Sequence, residues 1–294
     1  MAWVPGGECL IGSDHHYPEE APAHLVTVAG FWIDRTPVTN AQFLKFVKAT
    51  GYRTQAELPA DPALYPGADP ERLQPASIVF VPPAGPVGHQ DHYRWWQYLS
   101  GADWRHPEGP GSSIKGRDQH PVVHIAHADS LAYAHWCSKQ LPTEVEWERA
   151  GWGGREGCEF AWGDELHPGG FPVANTFQGD FPHHNSRLDG YERTSPVGAY
   201  PANGYGLVDM IGNVWEWTDS WYGPHPHQAD GAADAREASI DPTSQHGAVP
   251  RKVVKGGSFL CAPSYCRRYR PAARMAQGID TSTGHMGFRC IVRV

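Results

Sequence analysis

Two cysteines near the C-terminus are the residues whose type and spacing most clearly indicate chemistry. Cys261 and Cys266 have four residues between them, follow a Gly-Gly-Ser run, and precede an arginine-rich segment. A nearby arginine favours the thiolate and lowers the pKa of a cysteine, and the two glycines let the backbone come close to a bound group. The spacing alone leaves two interpretations: a reactive pair, and a local disulfide or two buried small side chains.

The kind of metal that such a pair could hold follows from its donor atoms. A structural zinc site needs four ligands, usually from two close pairs, and no second Cys or His pair stands at such a spacing. Two thiolates without further ligands suit Cu(I), a soft ion that prefers sulfur. The sequence therefore predicts a Cu(I) site at Cys261 and Cys266, with a reversible disulfide as the alternative when copper is absent.

A second group of candidate ligands is rich in oxygen. Asp209, Gly212, Val214 and Glu216 place two carboxylates around a loop whose carbonyl groups can turn inward. Calcium prefers carboxylate and carbonyl oxygens in flexible number. Taken by itself, this pattern is more typical of a solvated loop.

Composition indicates a compact fold with little regular structure. The 294-residue chain contains 33 Gly, 27 Pro and 12 Trp, and its net charge is -8. Gly and Pro interrupt regular elements, whereas the many tryptophans and the lack of a low-complexity run argue against disorder. We predict one domain, residues 1–294, of short elements and ordered loops. The acidic balance argues against a nucleic-acid partner.

Targeting signals are lacking in the sequence. No apolar run approaches the roughly 20 residues that span a membrane, and residues 1–7 have neither the charged nor the apolar region of a signal peptide. Six cysteines are an ordinary number for a chain of this length. We therefore expect a cytoplasmic protein without a membrane partner, and a monomer.

Strand and loop patterns are found mainly in the N-terminal part. Residues 3–13 predict a short strand and a turn, and the alternation over 24–28 and 31–33 predicts two strands. Residues 53–119, rich in Pro, Gly and Trp, predict ordered loop. Residues 224–250 are the best candidate for a mobile insertion.

Three helices are predicted from capping and periodicity. Thr39 with Gln42 is a capping-box pair that opens a helix ending at Gly51. The spacing of apolar residues predicts a second helix over about 129–138. Thr143, with Glu three residues later, opens a short third helix.

The 17 histidines are interpreted as surface imidazoles, because none has a helical i, i+4 partner with an intervening Glu. They include four loose pairs: His15 and His16, His89 and His92, His183 and His184, and His225 and His227.

Several blocks of the chain together resemble one protein family. Residues 104–109, 120–124, 141–148, 212–217 and 255–290 resemble, in the same order, the motifs of the formylglycine-generating enzymes, also called sulfatase-modifying factors. The resemblance covers essentially the whole chain. The Trp-Glu-Trp and Leu-Pro-Thr-Glu blocks are shared by the wider superfamily and indicate the fold. The Gly-Gly-Ser-x-x-Cys-x4-Cys block is far more specific to the oxidases.

The resemblance implies an α+β fold, an elaborated C-type-lectin-like fold with low regular secondary structure. It implies oxidation of a cysteine within a Cys-x-Pro-x-Arg sequence of an unfolded or nascent sulfatase to Cα-formylglycine, with O2, a thiol reductant and one Cu(I) between Cys261 and Cys266. The matching positions place Ser258 and Trp215 beside the oxygen pocket. Tyr265 borders the second cysteine and either donates a hydrogen bond to bound oxygen or packs.

The resemblance also implies two structural calcium ions. One would bind the side chains at 209 and 216 and the carbonyls at 212 and 214. The other would bind near Asn175, Thr176, Asp189 and Tyr191. Asp209 replaces an Asn of some relatives, a change compatible with calcium.

Candidate substrate-binding positions come from residue types and from the same resemblance. The aromatic stretch Trp95, Trp96, Trp104 and Arg105 suits an extended peptide, although all four could belong to the core. Asp61 lies where some relatives hold the substrate arginine, since a carboxylate pairs well with guanidinium. Pro62 and Pro37 replace residues that help there, so recognition of the arginine is expected to differ in detail.

Secreted relatives carry structural disulfides. Ala134 and Pro271 occupy two of those half-cystine positions in this chain, which fits a reducing compartment.

Two other functions remain open. Iron-dependent sulfoxide synthases use the same fold, but they carry a His-rich iron-binding helical domain ahead of it, for which 294 residues leave no room. Lectin-like relatives are non-catalytic, calcium-stabilised binding modules. Such modules need not carry paired cysteines, so Cys261 and Cys266 count against that alternative.

Overall fold

The computed structural model describes residues 1–65, 67–225, 234–243 and 249–294. The helices in this part are α1 Asn40–Thr50, α2 His127–Trp136, α3 Glu144–Trp152 and α4 Ala235–Ala238. The strands are β1 Ala2–Val4, β2 Gly7–Ile11, β3 His24–Val28, β4 Phe31–Ile33, β5 Ala76–Phe80, β6 Trp96–Ser100, β7 Gly179–Asp180, β8 His184–Asn185, β9 Trp215–Trp221, β10 Arg251–Lys255, β11 Arg274–Gly278, β12 Met286–Gly287 and β13 Ile291–Arg293. The predicted α+β fold with low regular structure is confirmed.

The two strands predicted from alternation over 24–28 and 31–33 form as β3 and β4, whereas residues 3–13, predicted as one short strand and a turn, contribute to two strands, β1 and β2. Strands β2 and β3 pair as an antiparallel hairpin, and β4 lies between β1 and β13 in a three-stranded antiparallel sheet. Val4, Phe31, Ile33 and Ile291 from this sheet are buried in one cluster with Trp147 of α3. The C-terminal strand therefore closes onto the N-terminal sheet.

Two helices begin and end where their capping residues predict. The side chain of Thr39 accepts from the N–H of Gln42 at 3.3 Å, the side chain of Gln42 accepts from the N–H of Thr39 at 2.9 Å, and Gly51 ends α1 with a φ of 69°. Thr143 opens α3 in the same way, and Gly153 ends it with a φ of 61°. Left-handed φ values at a helix end favour glycine.

Helix α2 begins and ends about two residues earlier than its apolar spacing predicts. Its N-cap is Ala126, whose N–H donates to the carboxylate of Asp129 at 2.8 Å. Asp129 is therefore the third residue of the helix and not its first. A capping carboxylate three residues inside a helix satisfies an N–H that would otherwise lack a partner.

The interpretation of residues 53–119 as loop is wrong in part. Strands β5 and β6 pair along their whole length, from Ala76 opposite Ser100 to Phe80 opposite Trp96. The pattern is hard to detect because short 3-10 turns and prolines surround both strands. This hairpin carries Trp96 to one wall of the site described below.

A four-stranded sheet, in the order β11-β10-β9-β12, lies under the C-terminal motifs. It packs on α3 through a buried ionic network. Nζ of Lys255 donates to Glu148 at 2.8 Å, and Arg274 donates twice to Glu144, also at 2.8 Å; all four side chains are 0% exposed. Removing one partner from such a network leaves an uncompensated buried charge, so the network fixes α3 against the sheet.

The proposed insertion at 224–250 lies partly outside the described residues, which exclude 226–233 and 244–248, and His227 with them. The described part of the segment includes the short helix α4.

Within the described ranges, no helix combines the length and apolar character needed to cross a bilayer.

Candidate active site

The cysteine loop brings the two thiols together. The N–H of Cys261 donates to the carbonyl of Ser258 at 2.9 Å, and the N–H of Cys266 donates to that of Ala262 at 2.8 Å, so the chain turns twice within nine residues, from 258 to 266. The two Sγ atoms lie 3.3 Å apart, and both thiols are reduced. Gly257 has a φ of 71°, and a Cβ at this position would lie 3.0 Å from the carbonyl oxygen of Arg268. The glycine is thus needed for the close approach.

The two thiols differ in their acidity. The hydrogen bond from Cys261 lowers the pKa of Cys266 to about 6, against the opposing effect of burial and with help from Arg268. Burial raises the pKa of Cys261 well above its usual value. Arg268 is held in place because it donates to Glu19 at 3.0 Å and lies 3.9 Å from the ring centroid of Tyr17. At neutral pH the pair therefore holds one thiolate and one thiol.

The thiols line a cavity of about 710 Å³. Its walls include several aromatic side chains, and they come from distant parts of the chain. Residues lining it include Trp96, Tyr98, Phe181, Trp215, Ser258, Tyr265, Arg268 and His285. A concave, mostly apolar site with a few convergent polar groups is typical of a ligand pocket.

Ser258 and Trp215 both line this cavity, as the resemblance predicts for residues of an oxygen pocket. The N–H of Ser258 lies 3.4 Å from Sγ of Cys261 and donates to it. Trp215 begins β9, and its N–H donates to the carbonyl of His285 at 2.9 Å. Both side chains are buried. Their role in binding oxygen stays a prediction.

Tyr265 forms part of the aromatic wall. Its ring stacks on Phe181, with centroids 4.3 Å apart and an interplanar angle of 6°, and meets the edge of Trp95 at 5.7 Å. Trp95 is fully buried behind this contact, whereas Trp96 reaches the cavity itself. Of the two neighbouring tryptophans, Trp96 is therefore the one placed to meet a substrate.

Trp104 and Arg105 lie elsewhere. Trp104 is fully buried against Phe43, and its Nε1 donates to Glu57 at 3.3 Å. Arg105 lies over the Trp104 ring at 4.2 Å and donates to Glu57 at 2.6 Å. Neither residue lines the thiol cavity or the cavity next to it. This placement supports the core alternative for Trp104, whereas Arg105 is partly exposed and covers its ring.

A second cavity of about 590 Å³ adjoins the first and shares Ile78, Tyr98 and Thr281 with it. Asp61 lines this second cavity, where it caps a short turn by accepting from the N–H of Ala63 at 2.9 Å. The two cavities are therefore neighbours, with the thiols in one and this carboxylate in the other.

Two further carboxylates line the second cavity, and sequence analysis missed both. Asp129 caps α2 and accepts from the hydroxyl of Tyr52 at 3.0 Å. Asp280 accepts a hydrogen bond from the hydroxyl of Tyr65. Asp280 lies in the turn that follows β11, and only the fold brings it to the same cavity as Asp61.

The candidate calcium site near Asn175, Thr176, Asp189 and Tyr191 fits the ion. Asp189 is half-buried, and its carboxylate accepts from the N–H groups of Thr176 and Tyr191 at 3.2 and 3.0 Å. Burial raises the pKa of this carboxyl. Among the described residues Asp189 has no ion-pair partner, and the amide nitrogen of Asn175 donates to the carbonyl of Arg193 at 2.8 Å. A partly buried carboxylate without a positively charged partner, together with the amide oxygen of Asn175, is a donor set that suits Ca²⁺.

The candidate calcium site at Asp209, Gly212, Val214 and Glu216 does not fit the ion in this arrangement. Both carboxylate oxygens of Glu216 accept from Arg289 at 2.7 Å, and one also accepts from Nε1 of Trp147 at 2.8 Å. Asp209 accepts from the N–H of Gly198 at 2.7 Å, and burial raises its pKa. The guanidinium of Arg289 already supplies the charge that a cation would bring to Glu216. Gly212 and Val214 lie in the same loop.

The interpretation of the histidines as surface groups is wrong for several of them. His124, His127, His225 and His285 are buried. His285 lines the thiol cavity. The sequence contains no signal for this, because the contacts of His285 come from residues far away along the chain.

A second pair of thiols also comes together only in the fold. Cys290 belongs to the main core, and the partly exposed Cys137 packs against it. A hydrogen bond from Cys290 lowers the pKa of Cys137 to about 7. The sequence separation of these residues shows no pairing pattern.

Comparison with known proteins shows the family and agrees with the fold. The family model described as "Sulfatase-modifying factor enzyme 1-like domain" matches residues 1–294, so the chain belongs to this family. A protein of Mycobacterium tuberculosis named "Formylglycine-generating enzyme" is 53% identical over 98% of this chain and 96% of its own length. A mouse protein named "Inactive C-alpha-formylglycine-generating enzyme 2" is 36% identical, over 99% of this chain and 84% of its own.

Among solved structures, PvdO from Pseudomonas aeruginosa superposes with a TM-score of 0.61 and 22% identity, over 99% of this chain and 93% of that one. At this identity the likeness concerns the fold alone.

Proposed function

We propose that the chain is a formylglycine-generating oxidase that acts on a cysteine in a Cys-x-Pro-x-Arg sequence of an unfolded or nascent sulfatase. The observation that carries this proposal is the pair of reduced thiols, 3.3 Å apart, in a large aromatic cavity. The 53% identity of the chain to a protein named formylglycine-generating enzyme supports the proposal. The overall reaction consumes the substrate thiol and one O2, and a thiol reductant supplies two electrons and two protons. The products are the aldehyde, hydrogen sulfide and water.

Cu(I) is the cofactor that fits the donor set. Two sulfur donors, one of them ionised near neutral pH, suit a soft ion of low coordination number. When bound, Cu(I) would hold the substrate thiolate and give O2 a one-electron path to reduction.

The protein's own residues prepare the cavity for this chemistry. Arg268 and the thiol of Cys261 stabilise the thiolate of Cys266, so a ligand is available without prior loss of a proton. Trp96, Phe181 and Tyr265 supply apolar surface to the cavity wall. Electrostatic interactions strengthen where bound substrate and apolar surface displace water.

The substrate peptide would lie along the two adjoining cavities. An extended chain with its cysteine at the thiols can continue past Ile78 and Tyr98 towards Asp61 and Asp280. Either carboxylate could receive the arginine guanidinium of the motif. Asp61 is favoured because Tyr65 already donates to Asp280.

Calcium is proposed as a structural ion at Asn175, Thr176, Asp189 and Tyr191. Two backbone N–H groups hold the Asp189 carboxylate in position, and the bound ion would tie residues 175–176 to 189–191. The loop at Asp209 and Glu216 is held by Arg289 instead.

We also propose a cytoplasmic, monomeric protein. All six cysteines are free thiols, which suits a reducing compartment. Sedimentation of the purified protein and the location of a tagged chain in cells would test both points.

The non-catalytic alternative has a specific basis, because an inactive relative shares the family. The thiol pair argues against it, since a binding module has no need of a lowered cysteine pKa inside a cavity. The iron-dependent alternative lacks ligands: within the described part of the chain, no three His, Cys, Asp or Glu side chains form a group that could hold a metal.

One experiment tests the proposed function directly. The protein is incubated with Cu(I), O2, a thiol reductant and a Cys-x-Pro-x-Arg peptide, and the peptide is analysed by mass spectrometry and by capture of the aldehyde. We expect loss of sulfur and gain of an aldehyde at the cysteine. The matched control is the double variant Cys261→Ser with Cys266→Ser, which should leave the peptide unchanged. An unmodified peptide with the folded, copper-loaded wild type would contradict the proposal.

A further inference from the structure

His285 is fixed in the wall of the thiol cavity. Its Nδ1 lies 3.1 Å from Oγ of Ser258, and its ring centroid lies 4.8 Å from that of Trp96. Its carbonyl accepts from the N–H of Trp215, so its backbone is tied to β9 as well. Within the described part of the chain, the His285 ring makes one hydrogen bond, to Ser258. Through this bond the ring can orient the hydroxyl of Ser258, which also lines the cavity.

The imidazole of His285 is neutral at physiological pH. Burial, together with the nearby His124, lowers the pKa of His285 to about 3. A neutral imidazole has one N–H donor and one acceptor nitrogen, and which nitrogen carries the hydrogen depends on the surroundings. Two arrangements of the bond to Ser258 are therefore available.

Counting hydrogen-bonding positions on Ser258 shows why the tautomer matters. Its Oγ already accepts from the N–H of Leu260 at 3.3 Å, and a hydroxyl has one donor and two acceptor sites. If Nδ1 of His285 carries the hydrogen, Oγ accepts a second bond and the hydroxyl hydrogen is free to point into the cavity. If Nε2 carries it, the hydroxyl must donate to Nδ1 and has no hydrogen left for the cavity.

We propose that His285 is a positioning residue for the oxidation: it donates from Nδ1 to Oγ of Ser258 and so directs the hydroxyl hydrogen of Ser258 into the thiol cavity. The backbone N–H of Ser258 donates to Sγ of Cys261 at 3.4 Å, so the hydroxyl directed into the cavity belongs to a residue in direct contact with the thiol pair. This inference rests on the proposed function, since it gives Ser258 a donor role in the oxidative step. Donors aimed at developing negative charge are worth the most where water is excluded.

The tautomer can be measured without any activity. The protein is labelled with nitrogen-15 in its 17 histidines, and the two ring nitrogens of His285 are assigned by comparison with His285→Phe. We expect a protonated Nδ1 and an unprotonated Nε2 in the metal-free protein. Protonation at Nε2 in the wild type would overturn the proposal, whatever the enzyme's activity.

A double-mutant cycle tests the link to Ser258. We expect His285→Phe to lower kcat by about 10- to 100-fold, less than the about 10²- to 10³-fold loss expected on removing the Ser258 donor itself. His285→Asn should recover most of the rate, because the Asn amide can donate to the same oxygen. In a Ser258→Ala background, His285→Phe should cause little further loss, since residues acting through one group are not additive. Additive losses would contradict the proposal.

A matched control separates this effect from loss of stability. His120 is a half-buried histidine whose Nδ1 lies 3.0 Å from Oγ1 of Thr194, outside both cavities. His120→Phe removes a bond of the same kind and should leave kcat and KM for the peptide unchanged. Equal loss of kcat in His120→Phe and His285→Phe would assign the effect to folding and overturn the positioning role.

The outcomes also distinguish this inference from the proposed function. If the folded, copper-loaded wild type fails to modify the peptide, the proposed oxidase activity is wrong, whereas the tautomer result still decides the hydrogen bond. If the wild type is active and His285→Phe keeps its kcat, the oxidase proposal stands and the role of His285 is wrong.

Discussion

The carboxylate of Glu216 and the guanidinium of Arg289 form a fully buried ion pair within the motif region. Nε and Nη2 of Arg289 donate to the two carboxylate oxygens at 2.7 Å each, and neither side chain is more than 1% exposed. Glu216 follows Trp215 in β9, and Arg289 follows β12, which pairs with β9 in parallel. The ion pair therefore joins β9, which begins with the cavity residue Trp215, to the segment that follows the cavity residue His285.

Arg289→Met should strongly destabilise the fold. The change leaves the buried Glu216 carboxylate without its partner, which typically costs about 3–5 kcal/mol. Denaturant unfolding would measure the change. The exposed pair Arg187–Glu192, 2.8 Å apart, provides the control, and Arg187→Ala should cost no more than about 1 kcal/mol. Similar losses in the two variants would show that the buried pair does not have this structural role.

Cys261→Ser and Cys266→Ser should each abolish turnover of the peptide. Each change removes one of two soft donors, and a hydroxyl is a poor ligand for Cu(I). We expect the wild type to bind one Cu(I) tightly and each variant to bind it weakly, as measured by competition with a chromogenic chelator. Cys158→Ser, which changes a free thiol outside the cavity, is the matched control. Full activity and unchanged copper stoichiometry in the double Ser variant would refute the copper assignment.

Ser258→Ala should impair the oxidative step while leaving binding nearly normal. The change removes a donor worth about 2.7–4 kcal/mol in well-studied enzymes, and it leaves both thiols in place. We expect near-normal affinity for Cu(I) and peptide with a large loss of kcat, measured at limiting O2. Normal turnover would rule out this role. Weak copper binding with normal chemistry at saturating copper would instead show that Ser258 orients the ligands.

Removal of calcium should lower the thermal stability. An ion that binds the native state alone contributes about 2.7 kcal/mol at a free concentration one hundred times its Kd. We expect a calcium chelator to lower the Tm of the wild type. Asp189→Asn should lower the Tm by itself and make the protein insensitive to the chelator. An unchanged Tm with no calcium by elemental analysis would exclude the ion.

Asp61→Asn should weaken binding of the substrate arginine. A hydrogen bond to a charged group contributes about 1.5–3 kcal/mol, so KM for the Cys-x-Pro-x-Arg peptide should rise about 10- to 100-fold with little change in kcat. The control is a peptide with norleucine in place of arginine, for which wild type and variant should have the same KM. If Asp280→Asn has the larger effect on the arginine peptide, the guanidinium binds Asp280 instead.

Local features of this fold follow from neighbouring residues and are therefore predictable. The helix beginning at Thr39 and the one beginning at Thr143 are specified by capping partners three residues away, and their ends by Gly51 and Gly153. The strands over 24–28 and 31–33 follow from alternation of apolar residues. In each case the pattern lies within a few residues, so the preference is local.

Prediction is weaker where a tertiary contact competes with a local pattern. Strands β5 and β6 lie in a segment dominated by proline and glycine, and they form because each supplies the other's hydrogen bonds. Helix α2 begins before its predicted start because Asp129 caps it from inside. For Trp104 the sequence leaves peptide binding and the core as alternatives, and only the fold shows that its ring packs on Phe43.

The sequence by itself determined the family, the low regularity of the fold and the identity of the two cysteines, since these depend on residue types and on spacing along the chain. Only the tertiary structure decided the contacts across long separations. The bond between Ser258 and His285 spans 27 residues, and the pair of Glu216 with Arg289 spans 73. A hydrogen bond depends on distance in space, and folding alone brings such groups within reach of one another.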